Sequence, residues 1–338
     1  MFKKKLILFF FIINFFNIIS KIKTWDLTNY VWNLSIAQCC NKGLYKNPVQ
    51  HFNSERQFNI DLYKNIQKND IIFLRCRFVK HFYEQVLNST SHPFILVICD
   101  GDESFPTNCG LDQKSIEEFI NHKSIIHIFA QNCDYKGPSK KVSHIPIGID
   151  FHTIAYKGNG WGEASCSPQE QEICLNKILN KLKPNYLRKK RAFVDFQLAD
   201  TMRGEFKRFL EFGEDRASIF NYIVKTGLID FSGRMKRSDL WKTKGEYAFS
   251  ISPPGNGIDC HRTWEDLVLG CIVIVKTSSL DPIFEGLPVV IVKNWSEITE
   301  DNFKKWLNLY GDCFNNSKYR EKLTNQYWIN IIQQKMIP

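Results

Sequence analysis

The sequence predicts an α/β protein of two facing lobes, each built on a parallel sheet covered by helices, with further helices at the C-terminal end. Three observations predict it. Short apolar runs alternate with polar, helix-spaced stretches from Ile71 onward, the pattern of strands buried on both faces. The alternation breaks once, between Lys157 and Lys190, and then resumes. The length of 338 residues suits two ordinary domains better than one.

In the first lobe, Asp70 to Leu74 reads as a strand and Arg77 to Leu87 as a helix. Phe94 to Cys99 is a fully apolar strand that runs into Asp100-Gly101-Asp102. Lys114 to Ile120 reads as a helix, Ser124 to Phe129 as a strand and Val142 to Ile147 as a fourth strand. Between the lobes, Gly158, Gly160, Gly162, Pro168 and Pro184 frame one helix, Gln169 to Leu182. The run Arg188-Lys189-Lys190-Arg191 then reads as the solvated face of a crossover.

The second lobe opens with a strand at Ala192 to Phe196 and a helix at Met202 to Phe212. Strands follow at Tyr247 to Ile251, Cys271 to Val275 and Pro288 to Val292. Thr299 caps a helix through Leu309, and another runs from Tyr319 to about Gln333. The expected divisions are therefore 1–20, 21–155, 156–190, 191–298 and 299–338.

Composition removes several classes. With 43% hydrophobic and 24% charged residues, the chain is neither disordered, collagen-like nor a polytopic membrane protein. Eleven cysteines in so long a chain do not make a small disulfide scaffold, and no C-x-x-C pair occurs to suggest a zinc ribbon or a thiol–disulfide centre. Cys109–Cys133 and Cys166–Cys174 are candidate bridges that sequence alone cannot pair. The 45 Lys and Arg against 35 Asp and Glu give a net charge of +10, which favours an anionic ligand. The basic residues are scattered and no RNA-binding motif is present, so no nucleic-acid partner is expected.

The first twenty residues read as a targeting segment. Lys3-Lys4-Lys5 precedes Leu6 to Ile19, an apolar stretch of about 21 Å if helical, shorter than the roughly 30 Å hydrocarbon core. Ile18-Ile19-Ser20 is a poor cleavage site, so a signal peptide and a single N-terminal membrane anchor both stay open. Either places the body in the secretory lumen. Four matches to the N-glycosylation pattern, at Asn33, Asn88, Asn294 and Asn315, agree with that.

The chemistry-bearing stretch is Ser252 to Gly270. A strand ends, Pro253, Pro254, Gly255 and Gly257 form a loop, and Asp259 can cap a helix that Gly270 closes. Trp264, Leu267, Val268 and Cys271 fall on one apolar stripe, with His261, Arg262 and Glu265 on the other side. A helix start and an arginine suit a diphosphate, and a carboxylate one turn on suits two vicinal hydroxyls. No Gly-Lys-Ser/Thr follows the glycines and a third glycine is missing, so neither a P-loop nor a dinucleotide fingerprint is present.

These same residues resemble the C-terminal half of exostosin-like glycosyltransferases. The resemblance lies in Phe249 to Gly255, His261-Arg262-Thr263-Trp264-Glu265, Leu269 to Ile274 and Leu287-Pro288-Val289, with Val273 in place of the usual proline. It is close over about residues 230–300. It implies a GT-B fold, two facing Rossmann-like domains with the nucleotide sugar on the C-terminal one. By that resemblance Glu265 would hold the ribose and Arg262 the diphosphate. His261 would stand at the same helix start, and Gly255 and Gly257 would let backbone approach the ligand. Pro146-Ile147-Gly148-Ile149-Asp150 resembles the hinge before the donor domain of GT-B enzymes, which brings His144, Asp150 and His152 near the cleft. Apart from the resemblance, Arg234 and Arg237, before the strand at Tyr247, either add positive charge to the donor site or flank a helix.

The reaction this implies moves a sugar from a nucleotide donor to a hydroxyl of a glycan or glycoprotein, with no cofactor required. Asp100 or Asp102, at the carboxyl edge of an apolar strand, would take the acceptor proton, and the two are also candidate ligands for Mn or Mg. Two alternatives stand beside it. One is a catalytically silent glycan- or nucleotide-binding protein on the same fold. The other is a phosphohydrolase with Asp100 as nucleophile, since Asp100-Gly101-Asp102-Glu103-Ser104 also suits that chemistry.

Overall fold

The computed structural model describes residues 28–44, 57–155, 159, 162–198 and 213–338. The N-terminal segment 1–20 and the helix expected at Met202 to Phe212 lie outside the described residues. Two parallel sheets with helices packed on them form an α/β, two-lobed, Rossmann-like fold. The first sheet has four strands in the order β1 (Ile71–Leu74), β2 (Phe94–Ile98), β3 (Ile125–Ala130) and β4 (Val142–His144). It grows in one direction only. The second has five, with β5 (Lys189–Val194), β6 (Ile229–Phe231), β7 (Tyr247–Ile251), β8 (Ile272–Lys276) and β9 (Val289–Val292) in the order β6-β5-β7-β8-β9. Every pairing in both sheets is parallel.

That second order matters for function. The chain leaves β5 to one side to form β6, then returns to lay β7 on the other side. Between β5 and β7 the direction of winding reverses, and the carboxyl ends of strands at such a reversal are where open α/β sheets commonly take their ligands. The first sheet has no such reversal.

The helices are α1 (Asn33–Ala37), α2 (Val79–Gln85), α3 (Gln113–Asn121), α4 (Pro168–Leu179), α5 (Arg216–Ile223), α6 (Arg237–Lys244), α7 (His261–Val268), α8 (Glu300–Tyr310), α9 (Ser317–Glu321) and α10 (Asn325–Gln333). Side chains alternate across each strand, so each sheet contributes to two cores. Ile71, Phe73, Ile95 and Val97 face the same cluster as Trp264, Leu267, Val273 and Val275, whereas Ile72, Leu74, Leu96 and Ile98 face a core private to the first lobe. The lobes thus share one continuous apolar core. Burying each Val, Leu or Ile there contributes about 1.5–3 kcal/mol, so their apposition is strongly favoured. The gap expected between the lobes is closed on this side by packing.

The C-terminal helices return to the first lobe. Ser35 donates to Asn325, Val31 N donates to Leu323 O at 3.0 Å, and Ile337 N donates to Asn69 Oδ1 at 3.0 Å. Two sequence expectations fail here for physical reasons. The basic run is not a linker, because Lys189 to Arg191 begins β5, where Arg191 pairs with Asp230 of β6 at 2.7 Å. Arg188 is buried, donating from Nη1 to Leu269 O at 2.9 Å. The fourth strand stops at His144, and beyond it Gly148, at φ 69°, presses against the Val31 carbonyl so closely that a Cβ would lie 2.1 Å from that oxygen. All eleven cysteines carry free thiols, including those of the two candidate bridges. Among the described residues no helix is long and apolar enough to cross a membrane.

Candidate active site at the seam between the lobes

The carboxyl ends of β5 and β7 bring Asp195 and Ser252 to the winding reversal. The first turn of α7 faces both. Arg262 Nε lies 2.8 Å from Asp195 Oδ1 as an ion pair, and Nη1 donates to Ser252 Oγ at 3.1 Å and Pro253 O at 3.4 Å. Its guanidinium lies 5.6 Å from the Phe196 ring centroid. Arg262 therefore sits at the winding reversal, where a carboxylate already neutralises it. Burial opposes ionisation of Asp195, yet Lys244 and Arg262 outweigh that and hold its carboxyl below the usual range.

Behind Arg262 lies a buried ion network that sequence spacing did not reveal. Lys244, the last residue of α6, is 1% exposed and reaches Asp195 at 2.8 Å, Asp266 at 2.6 Å and Glu265 at 4.0 Å. Arg237, the first residue of α6, pairs with Glu265 at 3.1 Å and with Asp150 of the first lobe at 2.8 Å. Burial pushes the Asp266 carboxyl up to about 6, an effect Lys244 offsets only in part. Glu265 is thus the internal partner of Arg237, and its Oε1 is not free for a ribose unless Arg237 gives way.

The first lobe supplies a second group of charges. Burial disfavours the Asp150 anion, but His152, Arg237 and His261 outweigh burial and hold this carboxyl well below the usual range. His152 Nδ1 lies 3.0 Å from Asp150 Oδ1, and the His152 and His261 rings are 5.1 Å apart. Burial pulls the His152 imidazole below its ordinary value despite Asp150. His261 Nδ1 is 2.7 Å from the Gly148 carbonyl across the seam. His144 ends β4 half-buried, and burial lowers it too. The structure therefore brings Asp150, His152, His261, Arg237 and Glu265 together. Arg234 is an exposed residue before α6.

Asp259 does not cap α7. The N-cap is Cys260, and no side chain caps the helix. Better donors compete for the Asp259 carboxylate: Ile147 N at 2.9 Å, Trp264 Nε1 at 2.9 Å and Cys260 N at 2.9 Å. Asp259 is thereby a clasp between the lobes, and burial pushes its carboxyl up to about 6. Gly257 has a similar purpose. A Cβ there would lie 2.7 Å from Asn132 Nδ2, so the missing side chain admits the first lobe's Asn132 rather than a phosphate. Asn132 in turn accepts from Asp259 N at 2.8 Å and donates to Gly101 O at 3.1 Å. Gly255 is confined as well, since a Cβ would lie 3.0 Å from both Arg216 and Cys260.

Asp100 is a structural anion. Arg75 reaches its Oδ2 from Nη2 at 2.6 Å and from Nε at 2.9 Å, and Asn33 donates to its Oδ1 at 3.0 Å. With both oxygens committed in a buried setting, Asp100 is poorly placed as a base, metal ligand or phosphohydrolase nucleophile. Asp102 is exposed at the same edge, next to the Gly101 carbonyl that Asn132 ties to the α7 loop. Asn33 is buried in α1, and its amide nitrogen is the one bonded to Asp100, so it is unsuited to carry a glycan. Asn88, Asn294 and Asn315 are exposed.

No protein-family model matches the chain, and no curated protein matches it. Solved structures do resemble it. A UDP-forming α,α-trehalose-phosphate synthase from Burkholderia xenovorans is 13% identical, with 89% of this chain and 84% of that chain covered, at a TM-score of 0.39. The sucrose-phosphate synthase of Thermosynechococcus elongatus is 10% identical, covering 79% of this chain and 71% of its own, also at 0.39. The pneumococcal O-GlcNAc transferase GtfA, solved with UDP and GlcNAc, is 10% identical over 81% of this chain and 58% of its own, at 0.37.

Proposed function

We propose that the chain is a glycosyltransferase that takes a nucleotide-sugar donor and moves the sugar to a hydroxyl of a glycan or glycoprotein acceptor. The observation that carries the reading is the position of Arg262. Its guanidinium and the first turn of α7 lie at the carboxyl ends of β5 and β7, where winding reverses and an open parallel sheet binds its ligand. The sequence resemblance of this same stretch to exostosin-like enzymes supports it.

In this reading the donor diphosphate competes with Asp195 for Arg262, and the arginine stabilises negative charge as the sugar–phosphate bond breaks. The acceptor oxygen forms its bond to the anomeric carbon and surrenders its proton to a base. We assign that role to Asp102, which is exposed and joined through Gly101 and Asn132 to the α7 loop. Glu265 acts one step back, by holding Arg237. A lumenal site of action rests on the reading of residues 1–20.

One specific observation favours a second reading. Arg262 and Glu265 are both internally paired, as they would be in a silent nucleotide- or glycan-binding protein. Incubating the purified protein with a panel of nucleotide sugars and glycan acceptors separates the two. Transfer or donor hydrolysis that Asp102→Asn abolishes supports the transferase, whereas saturable binding without turnover supports the silent protein. Binding of neither any nucleotide sugar nor any glycan refutes both.

A further inference from the structure

We propose that Asp150, His152 and His261 form a binding site for one divalent transition ion of the zinc or cobalt class, bridging the two lobes. The inference does not depend on the transferase reading. One ligand atom from each of the three residues lies within 4.8 Å of the others. His152 Nδ1 and Asp150 Oδ1 are 3.0 Å apart. Two donors with bonds of about 2.1 Å at the tetrahedral angle around one ion stand about 3.4 Å from each other, so a small widening of the 3.0 Å pair admits such an ion.

The surroundings orient these ligands. A carbonyl only accepts, so the 2.7 Å contact of His261 Nδ1 with Gly148 O puts the proton on Nδ1 and turns the lone pair of Nε2 outward. Asp150 is fixed by Thr153 N, which donates to Oδ1 at 2.9 Å, and by Arg237, which reaches Oδ2 at 2.8 Å. Such outer partners hold metal-ligating side chains in place.

Charge and donor type agree. Asp150 and Glu265 against Arg237 leave one negative charge beside two imidazoles. Asp195 and Asp266 balance Lys244 and Arg262 next door. Two nitrogens and one carboxylate favour Zn2+ or Co2+ over Mg2+ or Ca2+, which prefer all-oxygen sites. Asp150 and His152 follow β4 in the first lobe and His261 opens α7 in the second, so the ion would fasten the seam.

The test uses the full chain, stripped with chelator and titrated with Co2+, Zn2+ and Mg2+. Expected are one Co2+ per chain with visible d–d absorption, its displacement by Zn2+, indifference to Mg2+, and a rise in Tm with Zn2+. His261→Asn keeps a donor for the Gly148 carbonyl but lacks the ring nitrogen, so it should lose stoichiometric binding while its metal-free Tm stays near that of the parent. His152→Ala should lose binding as well, and His92→Ala should retain it. Absence of binding, a cobalt–thiolate charge-transfer band that assigns the ion to cysteines, or unchanged stoichiometry in folded His261→Asn would each overturn the site. Nucleotide-sugar binding, titrated separately, succeeds or fails independently.

Discussion

Replacing Lys244 by Met tests the buried network behind Arg262 at the winding reversal. The ammonium is 1% exposed and lies 2.8 Å from Asp195, 2.6 Å from Asp266 and 4.0 Å from Glu265. Methionine matches the length of the stem but leaves carboxylates buried against one another. Removing one partner of a buried ion pair costs about 3–5 kcal/mol, far above the value of a surface pair. The sign of the pH effect follows from Asp266. Its folded carboxyl, at about 6, is raised above the ordinary 3.8, so its ionised form costs stability above pH 6 and the cost fades as pH falls. Without Lys244 this carboxyl rises further. Urea unfolding followed by tryptophan fluorescence should show Lys244→Met destabilised by about 3–5 kcal/mol at pH 7.5 and by clearly less at pH 5.5. A loss below about 1 kcal/mol, or one that grows on acidification, would refute the network as described.

Four further outcomes follow from the same structure. Asp100→Asn should lower stability by about 3–5 kcal/mol in the same unfolding assay because Arg75 loses its counter-charge. Asp102→Asn, at an exposed position, should leave stability within about 0.5 kcal/mol while abolishing transfer in a nucleotide-release assay. Gly257→Ala drives a Cβ to 2.7 Å from Asn132 Nδ2 and should cost about 1–3 kcal/mol, part of it recovered in the double variant with Asn132→Ala. Burial and nearby Lys335 and Lys141 lower His127 from 6.5 to about 4, so the folded state resists protonation and loses stability as pH falls between those values. His127→Asn should remove up to about 3 kcal/mol of that acid sensitivity, read as the difference between parent and variant unfolding at pH 7 and pH 4.5.

The strands were legible because their signal is local. Phe94 to Cys99 and Tyr247 to Ile251 are apolar runs too short for helices and bounded by polar or Pro/Gly residues, and both became central strands. β6 escaped because it has only three residues at the sheet edge, with Asp230 and Phe231 turned partly to solvent. The basic run misled because its charges stand on the outer end of β5, where Arg191 finds Asp230 across the sheet. At the site, Arg262 and Glu265 were findable from their spacing on α7, but their partners were not. Arg237 meets Asp150 across 87 residues of chain, and Lys244 meets Asp195 across 49, separations at which no sequence pattern reports contact. Asp259 illustrates the same limit. Its place before α7 suits a cap, yet Ile147 N and Trp264 Nε1 claim its oxygens.

The central claim is that Arg262, at the reversal between β5 and β7, receives the diphosphate of a nucleotide donor. Calorimetric titration of the parent and of Arg262→Ala with UDP, GDP and their sugar conjugates tests it most directly. The account predicts saturable binding of at least one of these by the parent and a loss of at least about tenfold in the variant, consistent with the 1.5–3 kcal/mol of a charge-assisted hydrogen bond. Equal affinities for parent and folded variant would contradict it.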